Sequence, residues 1–386
     1  MINLSSKERI LAAIRHEEPD RVPISPRIGF FLQEYYGCDC WEHMLKASEE
    51  FGFDPFVLIG PMLPNYLYWP PRSYPEIKGV SVRSKFETLP DGTTIVEREI
   101  NTPAGSLFDR SKLSTGDRFF LKAAGDVQRL EHMIKGPGDL DKVRYLLPDP
   151  SEKRFKEIKE ITKNVGDRGL VEVGVYSAID HKAGALYPPT KMMVDYYLDR
   201  SFVVELLRMF HDYTMAETKA YLESGAEAIH GSWYWASLSV GWSPRIYEEL
   251  FAPLIKEHVK LVHDYGAIYH FYDDGKCMQI LDFVKDAKVD IIDTLTPPPM
   301  GDVNLEEAKM RIGDRVCLKG YIDLYHVIRR GTPELIRSTV CEAIKIAGPG
   351  SGFILGTSDS IRAAPLENVR AYFNAGREFG RYPMKF

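Results

Sequence analysis

The chain has 386 residues, 44% of them hydrophobic and 27% charged, which is ordinary for a globular protein with a large buried core. Its formal net charge of -6, with no basic arm and no run of like charges, argues against nucleic-acid binding. No apolar stretch approaches the roughly 18 residues of a membrane span, and five cysteines make no disulfide framework.

The opening stretch MINLSSKERILAAIRHEEPDR is charged throughout and lacks the apolar centre of a signal peptide, so a cytoplasmic protein is expected. Within it, SSKERILAAIR combines a serine cap with apolar positions at Ile10, Leu11 and Ile14, and so predicts an amphipathic helix. VPISPRIGF (22–30) and FDPFVLIG (53–60) are the first two predicted strands. Between them, Cys38 and Cys40 match no common zinc-ribbon spacing and read as two ordinary thiols near a helix start. Alternation, Pro-Asp-Gly and β-branched residues over about 79–108 predict a β-hairpin insertion.

From residue 170 the pattern becomes regular. Strands are predicted at 170–177, 226–234, 267–274, 289–295, 316–322 and 352–359, most of them followed by an amphipathic helix. Short β-rich runs alternating with helices imply parallel strands, and eight of them imply a (β/α)8 TIM barrel. The expected protein is one α/β domain over 1–386, with an N-terminal helical extension and the hairpin insertion. No GxGxxG follows the first strand, which weakens an open dinucleotide-binding sheet.

Barrel enzymes place their chemistry at the C-terminal ends of the strands. Those ends supply Arg27, His230 with Trp233 and Trp235, His270 with Tyr272, Asp273 and Asp274, Asp293, Tyr321 with Asp323, and Asp359 between Ser358 and Ser360. His270, Asp273 and Asp359 are the candidate catalytic residues. Arg27, His230, Trp233, Trp235, Tyr272 and Tyr321 are the candidate substrate-binding residues. Ordinary structural roles compete at each position: a helix cap for Asp274 and Asp359, packing for the tryptophans, a surface ion pair for Arg27. A histidine among carboxylates suits zinc or a harder divalent ion, with His270 and Asp359 as candidate ligands.

The order of these motifs resembles the uroporphyrinogen decarboxylase superfamily over nearly the whole chain. The matching pieces are SSKERILAAIRHEEPDRVP, NTPAGSL (101–107), GDLDKVRYLLPDP (138–150), ESGAEAI (223–229), WSPRIYEELFAPLIKEHV (242–259), the His270 strand, and the C-terminal GPGSGFILGTSDSIRAAPLENVRAYFNAGREFG. The superfamily holds both the haem-pathway decarboxylase and corrinoid-dependent methyltransferases. The decarboxylase's Arg-Gln-Ala-Gly-Arg run is reduced here to Arg27, and its Phe-Asp-Ser-Trp stretch reads IHGSW with Gly231 at the aspartate position. The thiol-methylating branch holds zinc with His-x-Cys and a later cysteine, where this chain has Tyr272 and Asp359. Other members use Glu and His for zinc; Glu249 stands at the matching distance of 21 residues before His270, while the place of their earlier glutamate falls near Tyr234.

The resemblance therefore implies methyl transfer from a small methylated substrate, such as an aryl methyl ether, to cobalamin carried by a partner corrinoid protein. Zinc is the implied metal, and a homodimer is compatible with it. The rival readings are decarboxylation of a porphyrinogen or another carboxylic acid, and a non-catalytic corrinoid- or tetrapyrrole-binding protein.

Overall fold

The computed structural model describes residues 3–60, 67–68, 70–71, 74, 76–114, 127–150 and 155–384. The chain forms two compact units, Met1–Gly60 with Phe155–Val175 and Tyr221–Phe386, and Pro61–Arg154 with Tyr176–Ala220. In chain order the elements are α1 (Ser6–Ile14), α2 (Gly29–Tyr36), α3 (Trp41–Phe51), β1 (Phe56–Ile59), β2 (Ser81–Thr88), β3 (Thr94–Thr102), β4 (Gly105–Leu113), β5 (Val127–Glu131), α4 (Leu140–Arg144), α5 (Lys156–Val165) and β6 (Leu170–Tyr176). There follow α6 (Gly184–Leu186), α7 (Pro189–Leu198), α8 (Arg200–Glu223), β7 (Ala228–Ser232), α9 (Pro244–Ile246), α10 (Ala252–Asp264) and β8 (Ile268–Tyr272). The chain ends with α11 (Leu281–Asp286), β9 (Ile291–Leu295), α12 (Leu305–Ile312), β10 (Cys317–Ile322), α13 (Pro333–Ala347), β11 (Phe353–Thr357) and α14 (Leu366–Phe379).

The first unit is built on a parallel seven-stranded sheet in the order β1-β6-β7-β8-β9-β10-β11. Its strands are buried almost throughout, as expected where helices cover a parallel sheet. The predicted first strand differs. Only Ile24 bridges, in parallel with Leu355, and residues 29–30 already belong to α2. Pro23 and Pro26 lack the N–H groups that a longer ladder would need, so pairing stops after Leu355 N–H donates to Pro23 O (2.9 Å) and Ser25 N–H to Leu355 O (2.8 Å). On the other side Asp54 N–H donates to Ile24 O (2.8 Å).

At the opposite end from the strand tips, α1 closes the core. Ser5 and Glu8 form a reciprocal capping box at its start. Ile10 and Ala13 then pack on residues at the starts of the strands: Phe56, Leu170, Ala228, Ile291, Cys317 and Ile354. Arg9 is held in place because it joins Asp20 (2.6 Å) and the fully buried Asp54 (2.6 Å), which also takes Arg21 (2.6 Å) and the Ile24 N–H (3.0 Å). Asp54 thus has every oxygen satisfied, the condition for keeping a charge in a core.

The second unit contains the four-stranded antiparallel sheet β2-β3-β4-β5, so the predicted hairpin insertion grows to four strands. Thr102 to Gly105 makes the β3–β4 turn, where Thr102 Oγ1 donates to Gly105 O (2.8 Å) and Gly105 adopts φ 124°, a value glycine tolerates. Arg98 and Asp109 face each other across β3 and β4 as a buried ion pair. In the same unit Lys182 is buried against Glu217 (3.1 Å), Thr214 (2.7 Å) and Tyr176 O (2.6 Å).

Beside it His181 stacks on Tyr68 at 4.0 Å and 2°. Burial, aided by the Lys182 charge, lowers the His181 pKa to about 3. A folded pKa below the unfolded ~6.5 means that only the unfolded chain gains this proton. Stability is therefore expected to fall as pH drops from about 6.5 toward 3, by up to about 1.4 kcal/mol per pH unit from this residue. His181→Asn, which suits the φ of 53° at this position, should flatten that slope in denaturant titrations at pH 7, 5 and 4. Equal slopes in the two proteins would count against the assignment.

Candidate active site

Side chains alternate along a strand, so residues two apart share a face. In β8, Ile268, His270 and Tyr272 take one face, while Tyr269 turns the other way and its hydroxyl meets His258 of α10 at 2.9 Å. β7 and β8 pair in register with His230 beside His270, and their rings lie 4.9 Å apart. In β6 the same parity carries Leu170 to the inner core and Glu172 two residues above it. In β9 and β10 it carries Ile291 then Asp293, and Cys317 then Lys319.

These five polar groups surround one cavity of about 210 Å³, lined also by Arg27, Phe56, Trp41 and Met44. Glu172 Oε2 accepts from His270 Nδ1 at 2.6 Å. His270 Nε2 lies 3.4 Å from Asp293 Oδ2, and Lys319 Nζ donates to that same oxygen at 2.6 Å. Glu172, His230 and His270 each bring one ligand atom within 4.8 Å of the others, and all three are buried. Among the described residues, His270 Nε2, Asp293 Oδ1 and Arg27 Nη1 are buried and make no hydrogen bond. Buried polar atoms are normally satisfied, so three on one cavity signal that a ligand completes them.

The electrostatics follow from this layout. Burial opposes protonation of His270, but the adjacent Glu172 and Asp293 outweigh it and raise its pKa. Burial likewise pushes Glu172 and Asp293 up, and the neighbouring cations win in both cases, His270 for Glu172 and Lys319 with His270 for Asp293. At His230 burial outweighs the pull of Glu172 and brings the pKa to about 3, leaving a neutral imidazole with a lone pair at pH 7. Two imidazoles and a carboxylate converging on one point form a donor set suited to zinc, with coordination positions left over.

The sequence candidates distribute unevenly. His270, His230 and Arg27 line the cavity, and Arg27 stacks its guanidinium 3.8 Å above the Tyr272 ring. Tyr272 donates its hydroxyl to Asp274 (2.7 Å), whose pKa burial raises. Of the two predicted metal ligands, His270 lies with Glu172 and His230, while the Asp359 carboxylate is outside that group and accepts from Ser360 N–H (2.6 Å) and Arg362 (2.7 Å).

Four further candidates, Asp273, Trp233, Trp235 and Tyr321, lie off the cavity, as does Glu249. Asp273 accepts from Asp274 N–H (2.7 Å), and its charge acts on Tyr247 and Cys277, on the helix side of β8. Trp233 is fully buried and donates to Tyr269 Oη (2.9 Å), again on the helix side. Trp235 accepts from Trp242 Nε1 through its carbonyl (2.7 Å). Tyr321 sits within range of Glu342 on α13. Glu249 pairs with Arg245 one helical turn away (2.9 Å), outside the Glu172 cluster.

Glu172 and Lys319 lie inside their strands, away from the strand tips at which the sequence predicts the site. The signal present was a lone charge inside an apolar run, LVEVGVY and VCLKGY, since such residues are almost never fully buried unless paired.

The chain belongs to the uroporphyrinogen decarboxylase (URO-D) family, which matches residues 129–379. It is 25% identical over 258 residues to a uroporphyrinogen decarboxylase of Trichodesmium erythraeum, covering 64% of this chain and 68% of that one. A second, from Pseudoalteromonas translucida, is 26% identical over 181 residues, covering 45% and 48% of the two chains. In fold the chain is similar to a methyltransferase from Methanosarcina mazei, with a TM-score of 0.66, 18% identity and coverage of 97% and 99%. Among the described residues no helix is long and apolar enough to cross a membrane.

Proposed function

We propose that this protein transfers a methyl group from a small, methylated, anionic substrate, such as a methoxybenzoate, to cob(I)alamin held by a partner corrinoid protein. The observation that carries this reading is the buried Glu172–His230–His270 cluster at the base of a small cavity. A divalent ion, zinc by its donor set, would be held by those three residues and would supply Lewis acidity to the oxygen that the methyl group leaves. Transfer to a cob(I)alamin acceptor, whose electron pair would take the methyl group, would break the methyl–oxygen bond and leave that bond's electrons on the departing oxygen.

The chain's own groups then have distinct tasks. Glu172 orients the His270 ring, and Lys319 holds Asp293 against it. Arg27 offers an unpaired guanidinium N–H to a substrate carboxylate. Phe56, Trp41 and Met44 keep the cavity dry, which strengthens these interactions. We also infer a closed (β/α)8 barrel in which residues 23–25 take the eighth place, on the strength of their hydrogen bonds to Leu355 and Asp54.

Decarboxylation of a porphyrinogen fits this site less well. A cavity of about 210 Å³ lies below the roughly 300–1,000 Å³ that drug-sized ligands occupy, and among the described residues Arg27, Lys319 and the protonatable His270 are the cationic groups that line it.

The test is metal analysis of the purified protein, followed by incubation of methoxybenzoates with cob(I)alamin while the cobalt spectrum is recorded. Stoichiometric zinc and formation of methylcobalamin are expected. Arg27→Gln should raise KM for the carboxylated donors by about 10–100-fold, the worth of a charge-assisted hydrogen bond, with metal content unchanged. A metal-free protein that releases carbon dioxide from a porphyrinogen would sink the proposal.

A further inference from the structure

We infer a second metal site, chemically softer than the first, in the loop that starts α3: reduced Cys38 and Cys40 together with His43 bind a thiophilic divalent cation such as zinc. The inference stands independently of the methyl-transfer reading, because none of these residues belongs to the Glu172 cluster.

The geometry is compact. Cys38 and Cys40 are joined as a disulfide, where the sequence suggested two ordinary thiols, and one nitrogen of His43 lies within 4.8 Å of both sulfurs. A disulfide has no need of an imidazole beside it. This one is held in a defined orientation: its Nδ1 lies 3.2 Å from the Cys38 carbonyl, and its ring stacks on Tyr36 at 5.3 Å and 30°. Anchoring a histidine through a backbone carbonyl is the usual way that metal-binding imidazoles are oriented.

The surroundings also favour thiolates. Cys40 is the N-cap of α3 and His43 lies in its first turn, so both sulfurs sit at the positive end of an eleven-residue helix. Cys40 N–H points at Cys38 Sγ at 3.1 Å, a donor that stabilises negative charge on that sulfur. The three ligands are half-buried, which leaves a route for the cation. Two thiolates and one imidazole form a zinc set with one position left for water.

Binding requires the reduced loop. A phosphine or dithiol takes the disulfide to two thiols and is itself oxidised. Each thiol then releases its proton to solvent as its sulfur–metal bond forms, while His43 contributes a neutral lone pair. Asp39 and Trp41, interleaved with the ligands, line the main cavity. A cation here therefore fixes part of that cavity's wall.

Cobalt(II) is the probe, because its thiolate charge-transfer absorption reports sulfur ligands and the Glu172 site has none. The full-length protein is reduced with a phosphine, freed of metal and titrated with cobalt(II). The expected result is a saturable thiolate band, absent from disulfide-bonded protein and from Cys38→Ser/Cys40→Ser. His43→Ala should weaken binding on the order of tenfold or more. The ligands are half-buried, so the variants should keep the wild-type circular dichroism and melt. Reduced wild type with no thiolate band overturns the inference. So does a band that survives in Cys38→Ser/Cys40→Ser, since it would then arise from Cys277, Cys317 or Cys341.

Discussion

Replacing His270 with alanine is expected to strip the metal from the proposed site and to lower methyl transfer by more than the roughly 10–100-fold that loss of a supporting contact costs. His270 is 1% exposed and touches two of the cavity's carboxylates, Glu172 at 2.6 Å and Asp293 at 3.4 Å. Its removal deletes a ligand and leaves Glu172 as a buried charge without its partner. Breaking one half of a buried ion pair costs about 3–5 kcal/mol, so the alanine variant should also unfold more easily. His270→Gln separates the two effects. Its amide can still donate to Glu172 and should restore much of the stability, whereas metal retention should stay lost. Metal analysis after dialysis and thermal melts on the three proteins read both outcomes. An alanine variant that keeps stoichiometric zinc and full turnover would remove His270 from the site.

The second large effect is expected at Lys319. Its ammonium is 3% exposed and donates to Asp293, itself 1% exposed, at 2.6 Å. Lys319→Met keeps the volume and removes the charge, leaving Asp293 as a buried anion at a cost of about 3–5 kcal/mol at pH 7.

The sign of its pH dependence follows from the depressed pKa of Asp293, which Lys319 and His270 hold down against burial. Such a group stabilises the fold above its unfolded pKa of about 3.9 and loses that contribution as pH falls through its folded value. Without Lys319 the carboxyl titrates higher, and once protonated it no longer needs a cation. The gap between wild type and Lys319→Met should therefore be widest near pH 7 and narrow toward pH 4. Lys319→Met/Asp293→Leu should recover most of the loss, because replacing both partners of a buried pair is often neutral or better. Urea titrations of the three proteins at pH 7, 5 and 4 check this; a cost that does not vary with pH would show that Lys319 acts through packing alone.

Much of the architecture was legible in the sequence because its signals are local. Alternation of β-rich runs with amphipathic helices locates six strands from residue 170 onward, and the serine cap with Ile10, Leu11 and Ile14 marks α1. The strand before α2 is shorter than the predicted 22–30 for an equally local reason: Pro23 and Pro26 lack the N–H groups a ladder needs. His270, His230 and Arg27 were also readable, since each is a polar residue near the end of a predicted strand and each reaches the cavity.

What the sequence by itself determined was thus the class of fold and the set of strands from which the site is drawn. Only the tertiary structure decided which face each side chain takes. Tyr272 and Asp273 are adjacent, yet Tyr272 lies beneath Arg27 while Asp273 acts on Tyr247 and Cys277. Trp233 sat at a promising strand end and turned to Tyr269. The physical reason is that a one-residue change in strand register sends every side chain to the other face, and register is set by neighbouring strands distant in sequence. Glu172 and His270 are separated by 98 positions, and no local pattern could place them 2.6 Å apart.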